Sequence, residues 1–543
     1  MRKLITLFAA LAVSFGMQAQ QFQQVFTTPS IDTFTSVATT NDNGFIFGGY
    51  TNGIGNETNQ LFLVRTTATG DTLWNARFGG QGNDGLEKIE RMPDGNFAFV
   101  GSSSSTNDSG NSDVIAGVFS EDGELLWSQF LEGDNVDIPY DLAIDDNGNL
   151  FITGITNSFN EDGSYDVFVS KLSSTGALEW FKVYGSIEYE ASRAIGVDED
   201  GNIYVWGHLD HSTSQAYDWF ILKLDTNGTL IFTKSLSLPG SEIASAMAIL
   251  PGGDLLLTGD TDSEGQGYND IFLTRMTSEG EFTWSKTIGA YASDHSTSIE
   301  HIENDMYMIA GATASFGAGG LDFLSLYVND QGDVKNIGAF GGEVKDVALD
   351  VVKTSNDGIA MVGTTRSFGS GFGSALAVRL DQNFECACNN SYDGGFMSAP
   401  STAQNAEAGI ELRSEGTTTG IPAFSFVLGD ATECLHLCGE EVVEFTSESD
   451  QNIDPASTLR EGGLKIQPNP SKGPVTVTTK SFGGGHVKLE VFNLEGRILQ
   501  EYLMGMPGQK SESSMVLRPL PTGIYLVRMT SGGQVETKRM VIE

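Results

Sequence analysis

The sequence predicts an all-β protein made mostly of seven similar four-stranded units, and three observations support this prediction. Glycine is abundant, at 66 of 543 residues, and small polar residues separate short apolar runs. No long stretch has the apolar spacing of an amphipathic helix. A glycine that closes a short β-rich run recurs every 52 or 53 residues, at Gly49, Gly101, Gly154, Gly207, Gly259, Gly311 and Gly363.

Each repeat is interpreted as four short strands. In the fourth repeat they are predicted at residues 192–197, 203–207, 219–224 and 230–235, with a tight turn at Asp200-Gly201. About fifty residues and four strands make one blade of a β-propeller. The alternative is a solenoid, whose repeats are usually shorter or helical.

Residues 20–385 are therefore predicted to form a seven-bladed β-propeller. Phe22 precedes Trp74 by 52 residues, so the N-terminal segment fits the position of a fourth strand. We expect it to pair beside residues 375–380 of the seventh repeat. This pairing would close the ring and remove open sheet edges.

The N-terminus has the pattern of a secretory signal peptide at residues 1–19. Arg2 and Lys3 precede an apolar run over residues 4–15, and Ala19 precedes the predicted cleavage site. The run is short for a membrane span, which needs ~20 residues. No later segment of the sequence could span a membrane, so no integral membrane segment is predicted after cleavage.

The charge balance limits the classes of partner. Asp and Glu number 71 against 30 Lys and Arg, a formal net charge of −41. Such a surface repels nucleic acids and anionic membranes. Cations, basic proteins and neutral sugars remain as ligands.

Two kinds of residue recur with the repeat and are interpreted as structural. The first is an aspartate that opens the third strand and is expected to accept backbone N–H bonds: Asp113, Asp166, Asp218, Asp270 and Asp322. The second is an aromatic residue expected to pack between blades: Trp74, Trp127, Trp180, Phe232 and Trp284.

One connection has the spacing of the first half of a calcium loop. The candidate ligands are Asp260, Asp262, Glu264 and Asp270. Gly265 permits the bend, but the twelfth position is Ile271 rather than Glu. Calcium is the one cofactor predicted. His208 and His211 form a weaker metal-like pair in a predicted loop.

Residues 386–445 are predicted to be a small disulfide-stapled insert, or cap, beside blade seven. They contain all four cysteines of the chain: Cys386, Cys388, Cys434 and Cys438. An even count in an exported protein predicts two disulfides, for which three pairings are open. A zinc site that includes His436 is the alternative.

From residue 464 the 52-residue period is lost, after a Ser-, Asp- and Gly-rich linker at 446–463. Short alternating strands predict a small immunoglobulin-like β-sandwich over residues 464–543. Its distinctive positions are Pro468, Asn469, Pro470, Gly473, Gly496, Gly523 and Tyr525.

Two family resemblances follow from these motifs. The runs at 253–259, 270–275 and 280–284 resemble bacterial SBBP propeller repeats, although Gln60 and Ser374 replace the aspartate in the first and seventh repeats. Residues 465–543 resemble the type A sorting domain of the type IX secretion system of Bacteroidota. This resemblance implies that the secretion machinery is a partner and that the cargo is released or held on the outer cell surface.

The sequence does not identify a catalytic site. A near-regular repeat whose variation lies in the connections favours a non-enzymatic scaffold that binds a glycan, peptide or surface polymer. Tyr165, Tyr217 and Tyr268 lie near the ends of such connections. The alternatives are a carbohydrate-active or peptide-cleaving enzyme and a structural surface-layer component. Acidic residues with raised pKa values around the propeller axis would favour the enzyme.

Overall fold

The computed structural model describes most of the chain from residue 21 onward. The described residues are 21–28, 30–52, 58–105, 111–159, 163–211, 216–355 and 358–384, short segments between 390 and 444, and 464–467, 475–480, 487–492, 498–504, 512–518, 520–521, 523–531 and 534–542. The predicted signal peptide and linker lie outside them. Every element assigned there is a β-strand. None of the described residues forms a helix long and apolar enough to cross a membrane.

The chain divides into two compact units, Met1–Ser449 and Asp450–Glu543. The first unit begins with twenty-eight strands. They are β1 (Phe22–Thr27), β2 (Asp32–Thr39), β3 (Phe45–Thr51), β4 (Gln60–Thr66), β5 (Thr72–Phe78), β6 (Asp84–Arg91), β7 (Phe97–Ser103), β8 (Asp113–Phe119), β9 (Leu125–Leu131), β10 (Asp137–Ile144), β11 (Leu150–Thr156), β12 (Asp166–Leu172), β13 (Leu178–Gly185), β14 (Tyr189–Val197), β15 (Ile203–His211), β16 (Ala216–Leu224), β17 (Leu230–Ser237), β18 (Glu242–Ile249), β19 (Leu255–Thr261), β20 (Asp270–Met276), β21 (Phe282–Gly289), β22 (Asp294–Glu303), β23 (Met306–Thr313), β24 (Asp322–Asn329), β25 (Val334–Phe340), β26 (Asp346–Lys353), β27 (Ile359–Thr365) and β28 (Ser374–Leu380).

These strands form a repeated four-stranded antiparallel sheet. Sheets 1 to 6 contain β2–β5, β6–β9, β10–β13, β14–β17, β18–β21 and β22–β25, in that order. Sheet 7 contains β26, β27, β28 and then β1. Phe22 to Phe26 of β1 pair with Arg379 to Ala375 of β28, which is the pairing that the position of Phe22 predicts.

The first strands of the sheets lie side by side in a closed ring. Each of β2, β6, β10, β14, β18, β22 and β26 contacts the first strand of the next sheet, and β26 contacts β2. We call these seven strands the inner ring. Apolar side chains of neighbouring sheets share continuous cores, as where Phe26 and Ala375 of sheet 7 pack with Phe34 and Phe47 of sheet 1.

Tight turns join the strands within each sheet, as the Asn-Gly and Asp-Gly pairs predict. In sheet 4, the N–H of Gly201 donates to the carbonyl of Asp198 at 2.9 Å. Gly201 has a φ of 81°, which a residue with a side chain rarely adopts. The strands of this sheet are longer than the sequence predicts, and β15 continues through the predicted loop as far as His211.

Within the described residues, the segment after sheet 7 contains seven short strands. Its strands are β29 (Asn390–Ser391), β30 (Met397–Pro400), β31 (Gln404–Ala406), β32 (Glu411–Gly416), β33 (Val427–Gly429), β34 (Glu433–His436) and β35 (Glu441–Glu444). The first five pair in turn with the outer strands of sheets 6, 5, 4, 3 and 1, and β34 and β35 pair with β1 of sheet 7.

These pairings have their physical reason in the outer strands. Each outer strand leaves a row of backbone N–H and C=O groups at a sheet edge, and a passing chain can satisfy them. Four of the added strands start seven residues apart, at Asn390, Met397, Gln404 and Glu411. The sheet edge that each of them joins depends on distant contacts, so the sequence alone does not indicate it. The disulfide-stapled insert stays a prediction from the sequence.

The second unit contains two sheets. Its strands are β36 (Leu464–Gln467), β37 (Thr476–Lys480), β38 (Val487–Phe492), β39 (Ile498–Met504), β40 (Glu512–Val516), β41 (Gly523–Ser531) and β42 (Gln534–Ile542). One sheet has the order β36-β37-β40 and the other β39-β38-β41-β42. Val477 of the first sheet shares a core with Val491 and Val527 of the second.

Candidate functional site

An acidic residue lies at the start of every strand of the inner ring, as the first residue of six strands and the second residue of β14. We call this set the rim acids: Asp32, Asp84, Asp137, Glu190, Glu242, Asp294 and Asp346. All seven are buried. Asp346 shows the typical contacts, because it accepts hydrogen bonds from Thr365 Oγ1 at 2.5 Å, Ser367 Oγ at 2.6 Å and the N–H of Gly342 at 2.8 Å.

Burial changes the protonation of these acids. It raises the pKa of Asp32 and of Asp137 to about 6, and that of Glu242 to about 7, although hydrogen bonds act in the opposite direction. Their strict repetition indicates a structural role. The sequence analysis missed them because it followed the aspartates of the third strands.

Two of the third-strand aspartates, Asp270 and Asp322, accept backbone N–H bonds as predicted. Asp270 Oδ2 accepts the N–H groups of Gln266 and Gly267, at 2.9 and 3.1 Å. Asp322 Oδ2 accepts the N–H of Ala318 at 2.9 Å. These bonds fix the connection where it re-enters the sheet.

The recurring aromatic residues pack between neighbouring sheets, as predicted. Trp74 of sheet 1 and Trp127 of sheet 2 each donate their indole N–H to a carbonyl in the next sheet, Glu121 and Ser174, at 3.2 Å. They are packing residues rather than sugar platforms.

A β-bulge occurs at the same register in all seven strands of the inner ring. The extra residue differs chemically from sheet to sheet, and we call this set the bulge layer: Thr35, Glu87, Tyr140, Arg193, Ser245, Thr297 and Leu349. Bulges re-aim side chains and are frequent next to functional sites. Chemical variety at this position therefore marks where the repeat departs from a purely structural role.

Next to the bulge layer, a charged cluster lies within the inner ring. Lys88 Nζ contacts both carboxylate oxygens of Asp350, at 3.0 and 3.1 Å. Asp350 also accepts bonds from Ser36 Oγ and Ser298 Oγ, each at 2.8 Å, and from the N–H of Val37 at 3.1 Å. This one carboxylate therefore connects sheets 1, 2, 6 and 7.

Further carboxyl groups of the inner ring have raised pKa values. Burial raises the pKa of Glu90 and of Glu300 to about 7 and that of Asp141 to about 6, while the charge of Lys88 acts in the opposite direction. Burial alone would lower the pKa of Lys88, but Asp350, Glu90 and Asp141 outweigh it and raise this pKa. Lys88 stays charged and holds the cluster together.

Aromatic side chains of sheets 3 and 4 lie together around Tyr140 and Arg193 of the bulge layer. The set, which we call the tyrosine site, is Tyr140, Tyr165, Tyr189, Arg193, His208 and Tyr217. The four tyrosines and the arginine are half-buried, so each keeps a surface open to solvent. The sequence analysis singled out Tyr165 and Tyr217, and the structure places them in one site; Tyr268 lies apart and is 79% exposed.

The rings of the tyrosine site contact one another. Tyr165 and Tyr189 meet edge to face with centroids 5.8 Å apart, and His208 and Tyr217 do so at 5.3 Å. The guanidinium of Arg193 lies 4.3 Å from the ring centre of Tyr140. Aromatic faces beside fixed polar groups are suited to the apolar faces and hydroxyls of a sugar.

His208 is a buried histidine at this site. It pairs with Ala191 of β14, and the next residue, Leu209, replaces the Thr or Ser that the other sheets place opposite the rim acid, such as Thr156 and Thr261. Its side chain is only 4% exposed, and among the described residues its Nδ1 and the nearby Asp210 Oδ1 have no hydrogen-bond partner. Burial lowers the pKa of His208 to about 3, and the charge of Arg193 acts in the same direction. The imidazole is neutral.

The structure does not bring the four candidate calcium ligands together. Asp260 accepts bonds from His295 Nδ1 and the N–H of Ser296, at 2.8 and 2.9 Å. Asp262 accepts the N–H of Ser241 at 2.7 Å, and Asp270 holds its own connection. Within the part of the chain that the structure describes, no group of three or more His, Cys, Asp or Glu is placed to hold a metal. The calcium loop over residues 260–270 stays a prediction from the sequence.

Most of the other predicted positions lie outside the described residues. This holds for Cys386, Cys388 and Cys438 and for Pro468, Asn469, Pro470, Gly473 and Gly496. Cys434 lies in β34 and Gly523 begins β41. Tyr525 is buried, and its hydroxyl donates to the carbonyl of Pro521 at 2.7 Å.

Comparisons with solved structures give distant relatives only. A protein of unknown function from Dyadobacter fermentans shares 9% identity and a TM-score of 0.39, over 67% of this chain and 99% of its own. A glycoside hydrolase family 43 protein from Bacillus licheniformis shares 13% identity and a TM-score of 0.26, over 66% and 98%. An endo-1,5-α-L-arabinanase from Thermotoga petrophila shares 11% identity and a TM-score of 0.25, over 66% and 99%. No curated protein matches the sequence.

Family models match two parts of the chain. Residues 126–160 match the β-propeller repeat called SBBP, and they contain most of β9, all of β10 and β11 and the bulge at Tyr140. Residues 465–543 match the secretion system C-terminal sorting domain and cover the two-sheet second unit. Both resemblances inferred from the motifs are thereby confirmed: one repeat of the chain matches the SBBP β-propeller repeat, and its C-terminal segment matches a sorting domain for type IX secretion.

Proposed function

We propose that this protein is a secreted, seven-bladed β-propeller that binds an extracellular glycan at the tyrosine site. The closed circle of the inner ring and the pairing of β1 with β28 support seven blades. The sorting domain supports an external ligand, since it directs secretion. In this proposal the signal peptide and the immunoglobulin-like sorting domain are transport elements, and the propeller is the functional part on the cell surface or in the medium.

The tyrosine site is the observation that carries the choice of ligand. Four half-buried tyrosines, a stacked arginine and a neutral histidine lie together where sheets 3 and 4 depart from the repeat. The four tyrosines and the arginine are half-buried and so present ring faces and polar edges to solvent. Sugars are bound by such a combination of stacking and hydrogen bonds.

Secretion is tested by sequencing both termini of the protein recovered from its native culture. We expect a chain that begins near Gln20, ends within residues 446–463 and is found in the medium or on the outer surface. A variant that lacks residues 464–543 should remain inside the outer membrane. A full-length chain in a soluble periplasmic fraction would contradict this part of the proposal.

Glycan binding is tested with an array of neutral and acidic oligosaccharides and the purified full chain. We expect retention of at least one class, and loss of that retention in the Tyr189→Ala variant. Tyr291→Ala removes a tyrosine that is 74% exposed outside the site and serves as the matched control. Absence of binding to every glycan would overturn the proposal.

A glycan-cleaving enzyme is the second candidate, and the carboxyl groups beside the site favour it. Burial raises the pKa of Glu87 to about 7, and its bulge-layer neighbours on the next two sheets are Tyr140 and Arg193. A carboxylic acid that keeps its proton near neutral pH is suited to general acid catalysis. Incubation of a bound glycan with the full chain, followed by analysis of its length, separates cleavage from binding.

A further inference from the structure

The guanidinium of Arg193 is held in place without being neutralised. It lies 4.3 Å from the ring centre of Tyr140, and no hydrogen bond or ion pair to it is found in the described part of the chain. A guanidinium stacked on a ring keeps its N–H groups at its edge, where they fit the two oxygens of a carboxylate. Arg275, by contrast, contacts Asp254 at 2.9 Å and Asp330 at 2.5 Å.

None of the described groups around Arg193 forms an ion pair with it. His208 is buried, and its Nδ1 has no partner among the described residues. Two acids belong to the same region. Glu87 interacts with the charge of Arg193 without a hydrogen bond to it, and burial raises the pKa of Glu87 to about 7. Asp210 pairs through its backbone with Tyr189 and Tyr217. The guanidinium of Arg193 therefore has no carboxylate acceptor among the described residues.

We propose that the ligand of the tyrosine site is an acidic glycan, and that Arg193 binds the carboxylate of a uronic acid residue while the tyrosines stack on the sugar rings. This inference rests on the proposed function and narrows it to one class of glycan. A neutral sugar would leave the stacked guanidinium without an acceptor, which is costly once the site is closed to water.

The net charge of the chain gives this binding an unusual dependence on salt. A uronate approaching the site is repelled by the distant acidic surface and attracted by Arg193 only at short range. Added salt screens long-range interactions between exposed charges more than contacts within a partly buried site. We therefore expect the association rate for an oligouronate to rise between low and physiological ionic strength.

The test compares trimers of galacturonate, glucuronate, mannuronate and guluronate with their methyl esters, which have the same rings without the charge. Binding to the full chain is measured by calorimetry. We expect at least one acid to bind and its ester to bind about 10- to 100-fold more weakly, the range for a charge-assisted hydrogen bond. Arg193→Gln should remove this preference, and Arg193→Lys should restore part of it, since it keeps the charge without the planar edge.

Arg366→Gln is the matched control, because it removes the same charge from an exposed position in sheet 7. It should change affinity less than about twofold, as expected for a distant exposed charge. Equal affinity for acid and ester, or an unchanged preference in Arg193→Gln, would overturn this inference and leave glycan binding intact. Binding of neutral glycans without binding of any uronate would also overturn this inference and leave glycan binding intact. Failure of every glycan to bind would overturn the proposed function itself.

Discussion

The rim acids and the bulge layer lie on the same seven strands, only a few residues apart, and they differ in almost every respect. The rim acids are acidic in every sheet, are buried, and have partners within the fold, as Asp294 has in Thr313, Ser315 and Ala290. The bulge layer contains hydroxyl, acidic, basic, aromatic and aliphatic residues. The rim-acid position is acidic in every sheet because each sheet has the same connection to stabilise. The bulge position has no such constraint and varies.

This difference shows how a regular fold can carry a specific site. A residue that stabilises one sheet must recur in all seven, since each sheet has the same connections to fix. A residue that contacts a ligand is needed once, so it replaces the repeated type at one place. Tyr140 and Arg193 each occur once in the bulge layer, and they are neighbours in space.

Loss of a rim acid is expected to have the largest effect on stability. Asp294→Ala removes the acceptor of Thr313 Oγ1 at 2.6 Å, Ser315 Oγ at 2.8 Å and the N–H of Ala290 at 2.9 Å. These donors are then left without an acceptor in a buried environment. We expect the free energy of unfolding to fall by about 3 kcal/mol, measured by urea denaturation.

The control for this variant is Glu303→Ala, which removes an exposed carboxylate from the other end of the same strand, β22. It should change the free energy of unfolding by less than about 0.5 kcal/mol. Glycan affinity should be the same in both variants at a temperature at which both are folded. A rim-acid variant as stable as the control would mean that the repeated acids have a role other than stability.

The sequence was sufficient to predict the four-stranded repeat, but it was not sufficient to predict the contacts between repeats. The period of the glycines predicts four strands per unit, and the spacing from Phe22 to Trp74 predicts the pairing of β1, because both are local features repeated along the chain. The pairing of β29–β35 could not be predicted, since it depends on sheet edges that lie far away along the chain. Tyr165 and Tyr217 were found through their position in variable connections, but Tyr140 and Arg193 required the register of the bulges.

The pH dependence of stability tests the rim acids without removing a contact. Burial raises the pKa of Glu242 to about 7. The folded state therefore binds this proton more tightly than the unfolded state. The stabilisation of the folded state by this tighter proton binding is complete below the ordinary pKa of about 4.5, and it is lost as the pH rises to about 7. We expect the free energy of unfolding to decrease from pH 5 to pH 8, and Glu242→Gln to remove roughly 2 kcal/mol of that decrease.

Glu281→Gln is the matched control, because it changes an exposed glutamate in the same sheet. Its pH profile should follow that of the natural chain. If the free energy of unfolding instead rose from pH 5 to pH 8, the rim acids would be ionised and hydrogen-bonded in the folded state, and the expected decrease would be wrong.

A substitution in the bulge layer should have the smallest effect on stability and a large effect on binding. Tyr140→Leu removes the ring against which Arg193 is stacked. Leucine fits this register, since Leu349 occupies it in sheet 7. We expect the free energy of unfolding to change by about 1 kcal/mol or less, and glycan affinity to fall about tenfold, the effect of one lost stacking contact near 1.4 kcal/mol.

Tyr291→Leu, at an exposed tyrosine outside the site, should change neither quantity. If Tyr140→Leu instead destabilised the chain as much as Asp294→Ala while leaving affinity unchanged, the bulge layer would be structural like the rim acids, and the variety of its residues would need an explanation other than ligand binding.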